Sequence, residues 1–389
     1  MRAFKNYFYK KEYKYMYLSQ LSYSLGKTLL EGFGTVMLYK SGIPIWLILL
    51  IYGIRFGIMG LTTPLFISIS SRFGIAKCIL LSNIFSIISC FMVLEGTNLY
   101  NNIIIFVVVM GLNGLSNPSS DALSSKYVET KHRGRYNSLL NVCNLLGAAL
   151  SSCFVAWGII TNNNMILFLL TTFFFLLQYV FIKQIDYKPK NKSNAFKSTM
   201  KYILKSKSKY KFIYALKTNH ILEKLFIPLY LYIIVEDFKL FSSITIISTF
   251  LQVLTIILIG KYSDKNIRKS NNLVTVIKSI IAGIFLITKN KMITAINKTL
   301  NDNFQKVYET STQTSIQNII KESKENNELL SAVGQMSLCF TEIIIFSILA
   351  IISKFIGQNV FIIMFILSII SSILINFEIK KEKKQLKRN

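Results

Sequence analysis

The chain has 389 residues, of which 52% are hydrophobic and 16% are charged, and its mean hydropathy is +0.45. This composition argues against a water-soluble protein and indicates one that lies in a membrane. The formal net charge of +27 raises nucleic acid as a partner. The distribution of the basic residues along the chain argues against that partner.

The apolar stretches, in chain order, predict twelve transmembrane helices. A helix of roughly 20 apolar residues crosses a bilayer. The basic start of the chain runs into a long helix rather than a short apolar core with a cleavage site, so the first span is expected to remain in the mature protein. The predicted spans cover residues 15–39, 45–69, 75–95, 102–126, 135–161, 164–183, 213–235, 240–262, 272–289, 292–319, 329–352 and 358–378.

A polar, strongly basic segment at residues 184–212 separates the first six spans from the last six. It predicts an N-terminal half (residues 1–183), a cytoplasmic linker, and a C-terminal half (residues 213–389) with a basic tail. Lys and Arg concentrate in the tails and in the loops on one side, which by the positive-inside rule places both termini in the cytoplasm. The expected location is the plasma or inner membrane, with the basic loops attracting anionic lipid and not nucleic acid.

The tenth predicted span is polar enough that hydropathy alone does not identify it. Its apolar residues recur on one helical face, and Lys298, Asp302 and Glu309 lie on another. An amphipathic helix on the membrane surface is the alternative. Without this crossing the basic tail would lie outside, against the positive-inside rule, so we favour a spanning helix whose polar face lines a cavity.

Ionisable residues within the spans concentrate on the first, fourth, seventh and tenth. A charge in hydrocarbon costs about 2.5–3.5 kcal/mol on insertion scales, so it normally faces protein or a water-filled cavity. These four spans are therefore expected to surround a polar centre that binds a solute or an ion. The candidate binding residues are Lys27, Glu31, Asp121, Lys217, His220, Glu223, Lys306 and Glu309.

Some of these candidates have a structural alternative. Lys27 and Glu31 are four residues apart on one helical face, where they can neutralise each other. His220 alone fits helix packing as well as a proton relay. Asp121 lies near the cytoplasmic end of its span, where it can belong to a gate or a loop instead of contacting substrate.

Two loop segments occupy equivalent positions in the halves, SISSRFGIAK after the second span and GKYSDKNIRK after the eighth. In these loops the chain resembles the major facilitator superfamily, whose signature is roughly G-x-x-x-D-R/K-x-G-R/K-R/K. Ile67 and Ser71 replace the glycine and the acid of the first copy. The matching residues are Arg72, Gly74 and Lys77 in the first copy and Gly260, Asp264, Lys265 and Arg268 in the second.

The resemblance implies an all-α membrane protein of twelve helices in two pseudo-symmetric six-helix bundles, with helices 1, 4, 7 and 10 around a cavity that opens alternately to either side. It also implies that helices two and eleven abut between the halves. Arg55 and Glu342 lie at similar depths on those helices, so we predict an inter-half ion pair that acts as a gate. Met110 replaces the family's helix-four arginine, which leaves the coupling ion open.

The leading hypothesis is a secondary active transporter that moves a small polar or ionic organic solute by alternating access, driven by a proton or another ion gradient. A zwitterion, an organic anion and an amphipathic cation all fit a cavity with charges of both signs. The alternative is a non-transporting membrane receptor or scaffold that keeps a transporter-like shell.

The sequence predicts no enzyme activity and no cofactor. It contains no Walker motif and no zinc-hydrolase motif. Its five cysteines lack metal-ligand spacing, so neither a metal nor a disulfide is expected. The expected partners are a small-molecule substrate, a coupling ion, with a proton favoured, and the lipid bilayer, and the protein is expected to act as a monomer.

Overall fold

The fold is that of a computed structural model of the whole chain. The structure describes residues 10–31, 33–95, 102–129, 133–161, 163–185, 187, 197, 201, 218–287, 290–322 and 327–386. Within these ranges all regular elements are helical. The α-helices are α1 (Lys11–Glu31), α2 (Gly34–Lys40), α3 (Ile45–Phe73), α4 (Ile75–Glu95), α5 (Ile103–Leu112), α6 (Pro118–Tyr127), α7 (Arg133–Ile160), α8 (Asn164–Lys183), α9 (Thr218–Val235), α10 (Phe238–Ile287), α11 (Lys291–Glu322), α12 (Asn327–Ile356) and α13 (Val360–Leu386).

Most predicted spans correspond to one helix each, and four of them differ. The first span is divided into α1 and α2, and the fourth into α5 and α6 with a 3-10 turn at Asn113–Ser116 between them. Pro118 lies in the first turn of α6, where its missing N–H and fixed φ suit a helix start and not a helix interior. The eighth and ninth spans, predicted to be separate, form the single 50-residue helix α10.

The helix α10 does not run straight. The Thr255 hydroxyl lies 2.7 Å from Oδ1 of Asn303, and the Lys278 ammonium bonds Gln305, which is only two residues further along α11. In a straight helix Thr255 and Lys278 would be about 35 Å apart. The helix axis therefore bends between the segments Phe238–Ile256 and Thr275–Ile287, and both segments contact α11.

The outer surface of the helix assembly is apolar. Large hydrophobic side chains such as Ile104, Phe355 and Ile287 are 78%, 82% and 88% exposed, which is the arrangement that lipid favours. By length and composition, seven of the described segments can cross a membrane. These are Ile45–Phe73, Ile75–Glu95, Ile103–Tyr127, Tyr136–Ile160, Asn164–Lys183, Phe238–Ile256 and Leu329–Ser371, the last of which includes two predicted spans.

The polar helix α11 has its apolar residues outside and its polar residues inside. Ile293, Ile296 and Leu300 are exposed, whereas Lys298 and Asn301 are each only 3% exposed. A helix at the membrane surface would turn its polar face to water. The burial pattern of α11 therefore favours the predicted spanning helix over the surface helix.

Two long helix pairs join the chain halves, α3 with α12 and α7 with α10. Glycines of α3 permit the first approach: a Cβ on Gly60 would lie 3.0 Å from the Cβ of Cys339, and one on Gly57 would lie 2.6 Å from the Cδ1 of Ile343. Small residues at such spacing let membrane helices pack backbone to backbone. The glycines of α3 therefore allow α3 and α12 to approach closely at the interface between the halves.

A close backbone approach within the N-terminal half joins α1 and α7. A Cβ on Gly147 would lie 2.8 Å from the carbonyl oxygen of Leu21, which cannot rotate away as a side chain can. Hydroxyls reinforce the contact, because Ser24 donates to the carbonyl of Asn144 and Ser151 donates to the carbonyl of Leu25 at 2.7 Å. This contact positions the α1 residues that face the interior.

We predict that Gly147→Ala destabilises the protein by about 1–3 kcal/mol, because the added methyl group must push two helix backbones apart. Gly283→Ala is the matched control, since a Cβ there meets no atom within 4 Å and alanine is the better helix former. Thermal unfolding of the two purified variants in the same detergent measures the difference. Equal midpoints for the two variants would contradict the close packing.

Candidate functional site

A polar cavity of about 220 Å³ lies between the chain halves. Helices α1 and α7 line it from the N-terminal half, and α9, α10 and α11 line it from the C-terminal half. The lining residues are Gln20, Tyr23, Ser24, Lys27, Thr28, Asn144, Leu145, Ala148, Ser152, Glu223, Lys224, Pro228, Thr245, Thr249, Gln252, Lys298, Asn301, Asp302, Gln305 and Glu309.

The set of helices around the cavity differs from the prediction in one respect. The predicted spans one, seven and ten contribute, as expected from their charges. Among the described lining residues none comes from the fourth span. Residues of the fifth span, on α7, and of the eighth span, on α10, line the cavity as well. The fourth span instead packs on α3, α4, α11 and α12.

Glu223 is held by a buried ion pair that the sequence did not reveal. The Nζ of Lys278 lies 2.9 Å from its Oε2, and these two side chains are 3% and 7% exposed. Ser368 donates to the other carboxylate oxygen, and Gln305 accepts from Lys278. Through these contacts Glu223 links α9 to α10, α11 and α13. The Glu223 carboxylate lines the cavity, but its charge is neutralised by Lys278.

Lys278 is the main functional residue that sequence reasoning missed. The candidate binding residues were taken from the first, fourth, seventh and tenth spans, where ionisable residues concentrate. Lys278 lies on the predicted ninth span. Its signal was present, because it is the single ionisable residue in the apolar run TVIKSIIAGIFLI. A lysine within an apolar segment of a membrane protein implies an acidic partner on a neighbouring helix.

A second ion pair lies on the cavity wall formed by α11. Lys298 pairs with Asp302, one turn later, and the hydroxyl of Ser248 donates to the same carboxylate oxygen at 2.7 Å. Gln305 and Glu309 continue this polar face toward the next turns and also line the cavity. The polar stripe predicted on the tenth span therefore faces the cavity.

The other predicted binding residues have different positions. Lys27 lines the cavity, half-buried, with its Nζ 4.6 Å from the centre of the Tyr23 ring, a cation–π distance. Glu31 is the last residue of α1, His220 lies on α9 and Lys306 lies on α11, and their side chains are outside the described part of the structure. Lys217 lies outside the described residues altogether.

Comparison with known proteins identifies the family of the chain. The model of the Major Facilitator Superfamily matches residues 16–296, well over half of the sequence. The chain belongs to the major facilitator superfamily. No curated protein sequence matches it. The superfamily assignment makes it an integral membrane protein and a member of a transporter family.

Solved structures of other transporters have the same fold as this superfamily member. A bacterial homologue of the iron transporter ferroportin in an outward-facing state has a TM-score of 0.69 at 12% identity, covering 96% of this chain and 100% of that one. The human organic anion transporter MFSD10 gives 0.63 at 12% identity, with coverage of 94% and 99%. A mutant of the nucleoside transporter NupG gives 0.64 at 12% identity, with coverage of 96% and 99%.

In this superfamily member Asp121 lies outside the cavity. Its carboxylate accepts hydrogen bonds from Gln313 and, at 3.4 Å, from Gln317, both on α11. Asn137 of α7 donates to Thr314 at 3.0 Å and to Gln317 at 2.9 Å. We call these five side chains the polar clamp. It joins the chain halves at one end of the cavity, so the structure places Asp121 in an inter-half contact and not among the residues that line the cavity.

Aromatic side chains join the halves at the opposite end. Phe33 packs on Phe238 and Phe241 with ring centroids 5.9 and 5.8 Å apart, and Tyr39 packs on Tyr232 at 6.4 Å. We call these five side chains the aromatic clamp. The cavity therefore lies between two inter-half contacts of different chemistry, one polar and one aromatic.

Arg55 and Glu342 lie on facing helices, as predicted, but the predicted ion pair is not formed between them. The guanidinium carbon of Arg55 lies 5.5 and 5.3 Å from the ring centres of Tyr52 and Phe56. Both carboxylate oxygens of Glu342 are buried without a hydrogen-bond partner. Arg55 thus contacts its aromatic neighbours on α3 and not the acid on α12.

The loop motifs are also placed differently in the two halves. Gly74 ends α3 with φ +86°, a conformation that favours glycine, and Arg72 lies in the last turn of α3 before it. Lys77 lies 5.4 Å from the centre of the Phe73 ring. The second copy, at Gly260, Asp264, Lys265 and Arg268, continues the helical backbone of α10 where the sequence predicted a loop, and its side chains lie outside the described part.

We predict that the Glu223–Lys278 pair is strongly coupled. Glu223→Gln or Lys278→Gln alone should cost about 3–5 kcal/mol, because each leaves one buried charge without its partner. The double variant should recover most of that loss, since no charge is then left uncompensated. Thermal unfolding in detergent measures the cycle, with Lys239→Gln, an exposed lysine of α10, as the control. Additive losses in the double variant would contradict the pairing.

Proposed function

We propose that this protein is a secondary active transporter that moves a small polar or ionic organic solute by alternating access. The observation that carries the proposal is the polar cavity between the halves, which lies between the two clamps. In a protein with an apolar exterior, an internal cavity lined by polar and charged side chains suits a hydrophilic solute.

The charges of the cavity indicate the class of solute. Three lysines and three acids line it, and Lys278 behind the wall neutralises Glu223. Among the described side chains, ammonium groups therefore outnumber carboxylates by one. Hydroxyl and amide groups make up most of the remaining lining. This inventory suits a solute with an acidic group, such as a zwitterion or an organic anion, better than an amphipathic cation.

The two clamps supply the elements that alternating access requires. Opening the aromatic clamp while the polar clamp holds would expose the cavity on one side, and the reverse would expose it on the other. Weak contacts of both kinds can break and re-form without unfolding a helix. The exchange between these two arrangements is the transport step of the proposal.

The topology completes the proposal. We place twelve crossings in two six-helix bundles joined by the 184–212 linker, with both termini in the cytoplasm of a plasma or inner membrane. The aromatic clamp then lies at the external end and the polar clamp at the cytoplasmic end. The basic loops contact anionic lipid, a proton is the coupling ion, and the monomer is the transporting unit.

We predict that Lys27→Gln lowers the uptake of acidic solutes at least about tenfold, because the variant loses a cation that faces the cavity, an effect of about 1.4 kcal/mol or more. Uptake into proteoliposomes under an imposed proton gradient measures this, with a panel containing an organic anion, a zwitterion, a neutral polar solute and an organic cation. Lys239→Gln removes an exposed lysine far from the cavity and should transport normally.

The same assay decides between the two function classes. The receptor or scaffold alternative is not favoured by the family and the fold, and it predicts that a well-folded protein moves no member of the panel under any gradient. That result would contradict the transporter. Normal uptake by Lys27→Gln would contradict the assignment of the cavity as the solute site.

A further inference from the structure

A buried acid lies outside the cavity, at the interface between the halves. Glu342, in the middle of α12, is 0% exposed, and neither of its carboxylate oxygens has a hydrogen-bond partner. A carboxylate that is ionised in such a place is strongly destabilising unless it is paired and hydrogen-bonded. The neutral, protonated acid is the form that this site accommodates.

The groups around Glu342 leave it without a counter-charge in hydrogen-bond reach. Helix α12 packs against α3, α6, α9, α11 and α13. From the described parts of these helices, the ionisable groups that act on Glu342 are Arg55 on α3 and the thiol of Cys339, one turn earlier on α12. Glu223 on α9 is committed to Lys278. Phe346, the next turn of α12, packs against Phe56, so the surroundings are apolar.

Arg55 keeps its charge without Glu342. A guanidinium does not lose its proton in proteins, and the rings of Tyr52 and Phe56 stabilise it through cation–π contacts. Arg55 is itself only 6% exposed, and it is the charged group that acts on the acid from the facing helix.

We propose that Glu342 carries the coupling proton, at a site separate from the solute cavity. In the arrangement seen here the carboxyl holds the proton and Arg55 rests on the rings. When the halves rock, Arg55 reaches the carboxylate, the O–H bond breaks, and the proton leaves to the water on the side that has opened. Reprotonation from the other side releases Arg55 and resets the pair. This inference rests on the proposed transport function.

Infrared spectroscopy of the purified protein tests the protonation directly and needs no substrate. The wild type should show the carbonyl stretch of a carboxylic acid without hydrogen bonds, and this band should weaken as the pH of the buffer rises. Glu342→Gln should abolish the band and Glu342→Asp should shift it. Glu223→Gln, which removes a paired acid, should leave it in place. A band that is unchanged in Glu342→Gln, or absent from the wild type at acidic pH, would overturn the proposal.

A transport arm separates this inference from the function on which it rests. With a solute that the wild type transports, Glu342→Gln should lose accumulation driven by a pH gradient and retain exchange of labelled for unlabelled solute. Accumulation that persists in Glu342→Gln would overturn the proton site and leave the transporter intact. If the wild type moves no solute, the proposed function fails, while the infrared result still decides whether Glu342 binds a proton.

Discussion

The structure depends on one constraint: a chain with an apolar exterior must neutralise its charges internally. The Glu223–Lys278 pair, with Ser368 and Gln305 around it, meets this constraint and at the same time ties four helices of the C-terminal half together. Breaking either partner would leave a buried charge without its counter-charge. Because its charges are neutralised, the interior can be polar, and it encloses a cavity. Such a cavity is the feature that a transporter needs.

The same constraint separates the fixed contacts from those that can move. The glycine-lined packing of α1 on α7 brings two helix backbones of the N-terminal half together and resists change. The two clamps consist instead of side-chain contacts between the halves, polar groups in one clamp and aromatic rings in the other. In the proposed cycle α1 and α7 move as a unit, while the clamps and the Arg55–Glu342 contact, all of which join the halves, exchange partners.

Sequence reasoning found the helices and the polar stripe of α11, because apolar length and helical periodicity are local properties of the chain. It could not find which acid meets which base. Glu223 was predicted as a binding residue, but its partner Lys278 lies 55 residues away along the chain, and only the fold brings the two together. For Asp121 the sequence left open a cavity residue and a gate or loop residue, and only the fold shows that its carboxylate bonds Gln313 on α11.

Alternating access requires the two clamps to open in turn, and distances across the clamps test this requirement. Spin labels at Ser41 and Lys239 report the aromatic end, and labels at Lys126 and Phe377 report the polar end, all at exposed positions. Pulsed electron resonance measures both distances in acidic and in alkaline buffer, with the protein in lipid. Alternating access predicts that one distance lengthens while the other shortens. Two distances that stay constant, or that change in the same direction, would contradict it.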